Sequence, residues 1–393
     1  MPAEFLVLTA APPRDSSARP ARLLGLGLEE RARAMLVFSG LRPASGLRGS
    51  NDLILFPGEV VGPTRLGYEI ASARTAEAEI LALEPRHGGR PILRVSRTIR
   101  NHFFGDEPAE QAYQHALGHV TRRMSLRMPA VPVRDRETRR EARDVLLGSL
   151  RKSVDGLVSR TINRPISIAI SSLLVHTPLT PNMLSVITFG IALGAAFLMA
   201  SQEFVAGVLA MQFSSIFDGC DGEVARLKYR TSKVGAWLDT VFDDISTPVF
   251  ALATGYGVSQ SLGGMDGTAL FAMSVAAVVI SLPAYWITYS RLIAHGSTDS
   301  GRVSFSESPG AGWFRRFLVR YLRPLSKRDA YYFIFMMVTL FGWPWVIVIL
   351  YFIGAVLTAG TILTDRTPSE ARYGTTQQHR PVLTGSSRVE ISR

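Results

Sequence analysis

The 393-residue sequence has a single cysteine, Cys220, which excludes an intramolecular disulfide framework and indicates a reducing compartment. Its first apolar stretch, residues 5–11, is short and has no basic leader, so we expect no secretory signal peptide. Charged residues make up only 19% of the chain, and they are missing from four long stretches. The uncharged stretches are residues 181–202, 245–265, 267–290 and 330–364. Several of them reach the roughly 20 apolar residues that cross a bilayer, which predicts a polytopic membrane domain.

We predict that residues 179–364 form an all-α membrane domain of six transmembrane helices. Two shorter apolar segments, 204–217 and 234–238, continue as helices and complete the second and third spans. The last uncharged stretch is interrupted by Gly342, Trp343 and Pro344. Gly and Pro break helices and Trp favours the membrane interface, so this stretch predicts two spans joined by a tight turn. One long tilted helix is the alternative.

The charges of the predicted loops set the orientation in the membrane. Loops 201–203, 256–267 and 342–345 contain no Lys or Arg, whereas the loops on the other side are rich in both. The positive-inside rule therefore predicts a multi-pass protein of the cytoplasmic (inner) membrane, with both termini and the segment 218–243 facing the cytoplasm. The net charge of +11 then reflects topology and contact with anionic lipid or phosphate, and we expect no nucleic-acid partner.

Residues 1–135 predict a small cytoplasmic α/β domain. Its elements would be strands at 5–8, 52–56 and 91–95, a helix at 28–41 and a weaker helix at 111–128. Residues 136–178 predict a charged linker and an amphipathic helix, 157–175, which lies at the membrane interface before the first span. The polar C-terminal tail, residues 365–393, is predicted to be disordered.

Four carboxylates stand at the ends of apolar segments, where ionised groups are expensive and usually functional. Asp218 and Asp221 are i,i+3 neighbours, and Asp239 and Asp243 are i,i+4 neighbours, so each pair shares a face of its own helix. Two such faces brought together would repel unless divalent cations were present. Oxygen-only ligands suit hard cations, with Mg²⁺ the first choice and Mn²⁺ the second. The alternative is a set of solvated acids at helix ends.

The segment from Asp218 to Asp243 resembles the signature of the CDP-alcohol phosphotransferases (also called phosphatidyltransferases), D-x2-D-G-x2-A-R-x8-G-x3-D-x3-D. All its specified positions are filled, including the eight-residue gap at 227–234. The resemblance implies attack by an alcohol hydroxyl on the β-phosphoryl group of a CDP-alcohol, with release of CMP. It also implies two metal ions, and the homologous enzymes suggest a homodimer.

The resemblance assigns a role to each motif position. Asp218, Asp221, Asp239 and Asp243 would bind the metal ions, and Asp243 would also act as the general base. The positions assigned to nucleotide binding are Asp221, Gly222, Ala225, Arg226 and Gly235, with Thr231 and Ser232 as further donors to the diphosphate. A plain polar loop is an equally good interpretation of Thr231 and Ser232. The cations assigned to a phosphate on the acceptor are Arg291, Lys327 and Arg328, with Arg160 and Arg164 behind them; the alternative is that they are surface charges that set the orientation.

The N-terminal region resembles the opening of sugar-phosphate nucleotidyltransferases at residues 5–11, 23–25 and 40–41. Its phosphate-loop segment, 11–20, has no glycine and contains prolines, so we predict that this domain is inactive. The combined layout resembles the bifunctional inositol-1-phosphate cytidylyltransferase/di-myo-inositol phosphate phosphate synthases. That layout implies transfer from a CDP-inositol-type donor to a polyol phosphate.

Two other functions use the same fold. A phospholipid synthase similar to phosphatidylinositol-phosphate synthases would take CDP-diacylglycerol as donor, and it would use the same carboxylates. A non-catalytic membrane scaffold or receptor would keep the helices but would not need the four carboxylates. All four aspartates are present, which favours an enzyme.

Overall fold

The computed structural model describes residues 3–8, 22–152, 155–295 and 327–364. Within these ranges the first third of the chain is α/β and the rest is helical. Three predicted features lie outside the described residues: the segment 11–20, most of the basic loop before residue 327, and the tail 365–393.

The N-terminal unit is built on a six-stranded sheet with both parallel and antiparallel neighbours. In spatial order its strands are β4 (Arg42–Pro43), β1 (Glu4–Leu8), β5 (Leu53–Pro57), β8 (Ile92–Val95), β7 (Ile80–Glu84) and β9 (Arg122–Ser125). Strand β1 runs parallel to β4 and β5, β8 is antiparallel to β5 and β7, and β7 is parallel to β9. Two short antiparallel pairs complete the strands: β2 (Arg22–Leu23) with β3 (Leu26–Gly27), and β6 (Val60–Val61) with β10 (Val131–Pro132).

Helices cover both faces of this sheet. They are α1 (Leu28–Phe38) and α2 (Thr64–Ser72) on one face, and α3 (Arg97–Phe103) and α4 (Ala109–Gly118) on the other. Successive residues of a strand point to opposite faces, so Ile54 and Phe56 join one apolar cluster while Leu53 and Leu55 join the other. The central strands are therefore buried on both sides, as in a three-layer α/β fold.

The predicted strands and the first helix of this unit are confirmed, with shifts of a few residues at their ends. The predicted helix at 111–128 is wrong over its second half. The chain leaves α4 at Gly118 and forms edge strand β9, which pairs with β7. Pairing with a distant strand satisfies the backbone there, and local helix propensity does not capture that gain.

The connection to the helical domain contains α5 (Arg136–Gly148), a π-helical turn (Ser159–Asn163) and α6 (Arg164–Leu174). Helix α6 buries the polar side chains Ser167 and Ser171, whereas Ile166 and Leu173 are exposed on its outer side. An apolar outer face is typical of a helix that contacts lipid, which supports the predicted interfacial position.

Six helices follow in the described residues: α7 (Pro181–Ala200), α8 (Phe204–Leu227), α9 (Lys233–Leu262), α10 (Gly264–His295), α11 (Arg328–Leu340) and α12 (Trp345–Thr364). The break between α11 and α12 at Gly342, which has a φ of 84°, confirms the predicted turn. Of the described helical segments, Pro181–Ala200 and Gly264–Pro283 are long and apolar enough to cross a bilayer, and Trp345–Gly360 is shorter. Six membrane spans therefore stay a prediction.

Helix α7 packs against both α8 and α9. Small residues allow close approach: a Cβ on Gly207 of α8 would lie 2.6 Å from the sulfur of Met199 in α7. Close packing through small residues is the usual way that helices associate in a membrane. Helix α11 packs against α8, so its first residues reach the end of α8 that carries the aspartates.

Candidate active site

Three of the four motif aspartates lie together. Carboxylate oxygens of Asp218 from α8 and of Asp239 and Asp243 from α9 all lie within 4.8 Å of one another. Residues four apart on a helix share a face, which places Asp239 and Asp243 side by side. Both helices pack against α7, which holds the two carboxylate-bearing faces next to each other. The structure thus brings Asp218, from the first half of the motif, next to Asp239 and Asp243 from the second half, as the sequence predicted.

Asp221 lies beside this group and not within it. Its carboxylate accepts hydrogen bonds from the hydroxyl of Ser185 in α7 and from the backbone N–H of Gly222. The Ser185 hydroxyl holds the carboxylate against α7. The predicted metal-binding role of Asp221 stays a prediction.

Arg328, the first residue of α11, provides a positive charge among the three clustered aspartates. Its guanidinium is paired with both Asp218 and Asp243. The next residue, Asp329, accepts a hydrogen bond of 2.7 Å from the backbone N–H of Ser159. A Cβ on Gly156 would lie only 2.9 Å from an Asp329 oxygen, so glycine is needed for this close approach. The segment before α6 thus fixes the start of α11 and, through it, the position of Arg328.

The three aspartates line a small cavity of about 20 Å³ that is open to solvent. Its walls combine the charged residues with hydroxyl groups and apolar side chains from α7, α8, α9 and α11. They include Ser185, Thr188, Ser214, Ser215, Phe242, Ser246 and Tyr332. Serine and threonine hydroxyls can donate to the oxygens of a phosphate or a polyol, so the lining suits a highly oxygenated substrate.

The other basic residues that the sequence analysis assigned to a phosphate on the acceptor have different surroundings. Arg164 pairs with Glu223 at 2.7 Å and with Asp155 at 3.1 Å, so its guanidinium is committed to a mostly buried ion-pair network. Burial would raise the pKa of the Asp155 carboxyl, but hydrogen bonds from Arg164 and from the Lys152 N–H outweigh burial and lower it. Arg160 is exposed on the π-helical turn, and Lys327 directly precedes α11. The side chain of Arg291 lies outside the described part of the structure.

The predicted nucleotide-binding residues lie at the same end of the bundle. Gly222 faces the guanidinium of Arg226, which would lie 3.3 Å from a Cβ there, and Ala225 is buried. The Nε of Arg226 is buried and has no hydrogen-bond partner among the described residues, which leaves a donor for a ligand. Ser232 caps α9 by accepting from the Gly235 N–H at 2.9 Å, so it has a structural task.

Gly235 and Thr231 complete the predicted set. A Cβ on Gly235 would lie 2.8 Å from the side-chain oxygen of Asn182 in α7, so glycine lets α9 approach α7 closely. Thr231 is exposed in the loop. Sequence reasoning missed Asn182 and Ser185, since no spacing rule links α7 to the motif. Glu223 lies inside the motif, but at a position that the motif leaves unspecified.

The sequence model of the CDP-alcohol phosphatidyltransferase family matches residues 178–359. This range contains the four aspartates, Arg328 and their cavity. The chain therefore contains a CDP-alcohol phosphatidyltransferase domain.

Curated relatives match part of this chain. The chain is 34% identical over 190 residues to the bifunctional IPC transferase and DIPP synthase of Aquifex aeolicus, a match that covers 48% of this chain and 39% of the relative. It is 36% identical over 152 residues to the protein of that name from Thermococcus kodakarensis, covering 39% of this chain and 34% of the relative. The matches thus span about two-fifths or less of the relatives' length.

Among solved structures, the chain is similar to Mycobacterium tuberculosis phosphatidylinositol phosphate synthase with CDP-DAG bound. The identity is 19% and the TM-score is 0.36, and the match covers 52% of this chain and 99% of that protein.

Proposed function

We propose that this protein is a membrane-embedded, metal-dependent enzyme that transfers a substituted phosphate group from a CDP-alcohol to an acceptor hydroxyl, with release of CMP. The observation that carries the proposal is the meeting of Asp218, Asp239 and Asp243 within 4.8 Å, in a cavity of the family domain. Ionised side chains at the end of apolar helices are expensive, and their convergence is typical of a functional site.

The donor set fits divalent cations. It consists of carboxylate oxygens only, which hard cations such as Mg²⁺ and Mn²⁺ prefer. Arg328 balances part of the negative charge, but one guanidinium faces more than one carboxylate, and the excess favours a cation. Asp218, Asp239 and Asp243, with Asp221 beside them, would hold two Mg²⁺ ions. Bound ions would neutralise the diphosphate and stabilise the charge on the leaving CMP.

The protein's own residues perform the proton transfer and the orientation. The acceptor hydroxyl oxygen forms a bond to the β-phosphorus, and the bond from that phosphorus to the CMP oxygen breaks, with the electron pair leaving on CMP. Asp243 takes the proton of the hydroxyl as general base. Its carboxylate is paired with the guanidinium of Arg328. Arg328 would also meet a phosphate on the acceptor, because it lines the cavity, whereas Arg164 pairs with Glu223 and Asp155 and is not part of the cavity lining.

The nucleotide would bind along the end of α8. Gly222 and Ala225 lack bulk, so a ribose and base can lie against the helix. Arg226, which has a hydrogen-bond donor without a partner, would contact the nucleotide phosphate. Gly235 keeps the facing helix close, and Thr231 and Ser232 border the same end of α9.

For the substrates, we propose a CDP-inositol-type donor and a polyol phosphate as acceptor. The support is the similarity to the bifunctional IPC transferase and DIPP synthases of Aquifex aeolicus and Thermococcus kodakarensis. A phospholipid synthase that uses CDP-diacylglycerol is the second candidate, favoured by the apolar surroundings of the cavity. Exposed apolar side chains such as Phe197 and Val186 on α7 support contact with lipid.

The remaining proposals concern the whole protein. Residues 1–135 would be an inactive nucleotidyltransferase-like domain, and the six-helix domain at 179–364 would lie in the inner membrane. Both termini and the active site would face the cytoplasm, and the protein would be a homodimer.

The test is CMP release by the purified protein with Mg²⁺, with CDP-inositol or CDP-diacylglycerol as donor and inositol phosphate as acceptor. CMP only with CDP-inositol supports the polyol reaction, and CMP only with CDP-diacylglycerol supports the phospholipid synthase. Asp239→Asn should abolish release. Asp266→Asn, an exposed aspartate beyond the opposite end of α9, is the matched control and should not. Failure of the wild-type protein to release CMP from either donor would contradict the proposed function.

A further inference from the structure

The loop at residues 228–232 joins the two helices that carry the aspartates. Helix α8 ends at Leu227 and α9 begins at Lys233, so this short loop controls how α9 is placed relative to α8. The distances between the carboxylate of Asp218 and those of α9 depend on that placement. Any group that fixes the loop therefore also fixes the candidate metal site.

Arg31 of the N-terminal unit reaches the start of this loop. Its side chain is only 1% exposed, and its Nη1 donates to the carbonyl oxygen of Leu227 at 2.9 Å. Its Nη2 donates to the carbonyl oxygens of Leu23 and Leu24 at 2.8 and 3.1 Å. The Leu227 carbonyl is one of the last four of α8, which have no partner within the helix. A cation at this position also stabilises the negative end of the helix dipole.

Tyr229, two residues later, inserts into the core of the N-terminal unit. It is 8% exposed and belongs to the apolar cluster of α1 and α2. Its hydroxyl donates to the Gly62 carbonyl at 3.0 Å, and the Arg31 guanidinium lies over its ring at 5.5 Å. Tyr229 also has a positive φ of 52°, which is unfavourable for a bulky residue unless its surroundings hold it. The contact with the N-terminal unit provides that restraint.

A second set of contacts holds the loop from the side of α6. The Nζ of Lys228 donates to the carbonyls of Thr177 and Leu179, which precede α7. The turn between β2 and β3 rests on the end of α6, because a Cβ on Gly25 would lie 2.5 Å from the Val175 carbonyl oxygen. The N-terminal unit thus contacts the ends of both α6 and α8.

We propose that the N-terminal α/β unit acts as a clamp, which holds the loop at 228–232 in place. Arg31 and Tyr229 would be the residues that position Asp218, Asp239 and Asp243 through this loop. This goes beyond nucleotide chemistry in that unit and gives it a task within the transfer reaction, so its catalytic part rests on the proposed function. The clamp acts on the geometry of the aspartates and touches no substrate.

The sharpest variant is Tyr229→Phe, which removes one hydroxyl and leaves the ring in place. The chain offers a close control in Tyr113→Phe. Tyr113 is also buried, donates its hydroxyl to the Pro91 carbonyl at 2.7 Å and has an arginine over its ring, but all these groups belong to the N-terminal unit. A loss of stability in that unit alone would affect both variants alike. Only Tyr229→Phe loosens the loop.

We expect Tyr229→Phe to lower kcat about two- to tenfold, the effect of one neutral hydrogen bond, with the donor KM little changed. Arg31→Ala should lower kcat by about tenfold or more, and Arg31→Lys should recover part of it. Tyr113→Phe should keep the wild-type kcat. Equal kcat values in Tyr229→Phe and Tyr113→Phe would overturn the proposal.

Two readouts do not need turnover. Hydrogen–deuterium exchange of residues 228–236 should quicken in Tyr229→Phe and Arg31→Ala but not in Tyr113→Phe, and Mn²⁺ binding followed by its electron spin resonance should weaken in the same two. If the wild-type protein released no CMP but both readouts moved in this pattern, the clamp would stand and the proposed function would fail. If neither readout moved, the clamp itself would be refuted.

Discussion

Glu223→Ala tests the buried ion-pair network that joins α6 to the aspartate-bearing end of α8. Glu223 is 0% exposed, and its carboxylate accepts from Arg164 at 2.7 Å and from the hydroxyls of Ser167 and Ser171, each at 2.8 Å. Removing it leaves a mostly buried guanidinium with one carboxylate fewer, and the Ser167 and Ser171 hydroxyls each lose this acceptor.

The magnitude follows from burial. Breaking a buried pair by removing one partner costs about 3–5 kcal/mol. Arg164 keeps Asp155, so we expect a value near the lower end, about 3 kcal/mol. For a domain of this size that corresponds to a drop in Tm of roughly 6–12 °C. Glu223→Gln keeps one acceptor oxygen and should fall between the wild-type protein and Glu223→Ala.

The assay uses the single cysteine. Cys220 lies on α8 beside this network, is fully buried and has its sulfur 3.6 Å from the Ser167 carbonyl oxygen. A thiol-reactive fluorophore would therefore report the temperature at which this part of the protein unfolds. The control is Glu84→Ala, since Glu84 also pairs with an arginine at 2.7 Å but is 40% exposed. An exposed pair contributes about 0–1 kcal/mol. Equal shifts in the two variants would refute the reasoning from burial.

Three further predictions concern the site and its supports. Asp243→Asn should abolish turnover and leave CDP-alcohol binding, measured by calorimetry, largely intact; equal loss of binding would make Asp243 mainly a metal ligand. Gly235→Ala should lower kcat at least several-fold because its Cβ would collide with the Asn182 side chain, whereas Gly190→Ala, which meets no atom within 4 Å, should not. The pKa of Asp155 is lowered in the folded protein, so its stabilising effect is present above the unfolded pKa of about 4 and is lost as the pH falls through the lower folded value. The Tm of Asp155→Asn should therefore depend less on pH in this acidic window than that of the wild-type protein, and identical pH profiles would contradict the assignment.

The convergence of the aspartates could be predicted because it follows from helix geometry and spacing. Residues four apart differ by about 40° around a helix, so Asp239 and Asp243 point the same way. Asp218 and Asp221, three apart, differ by about 60°, and that difference allows Asp221 to turn toward Ser185 in α7. From the sequence, all four carboxylates were assigned to the metal ions, with Asp243 also as general base, and spacing alone does not tell which neighbouring helix each carboxylate will face.

The basic residues were predicted as a set, and the structure separates them. Arg164 and Arg328 are both arginines next to apolar segments, and nothing local distinguishes them. Their difference comes from long-range partners: Glu223 and Asp155 hold the first, and the aspartate group holds the second. Such partners depend on how helices pack, which composition and periodicity do not specify.

The contact between the two units was the least predictable part, and the reason is energetic. Arg31 lies in an arginine-rich helix and Tyr229 in a basic loop, so each is typical of a solvated surface. A buried guanidinium is expensive unless carbonyl groups surround it, and three carbonyls brought from Leu23, Leu24 and Leu227 provide that environment. The Leu227 carbonyl belongs to the helical domain and is 196 residues from Arg31 in the sequence, so its contribution exists only after both units have folded and docked. A domain without a glycine-rich phosphate loop would still be selected if this docking, rather than nucleotide chemistry, is what the membrane domain requires of it.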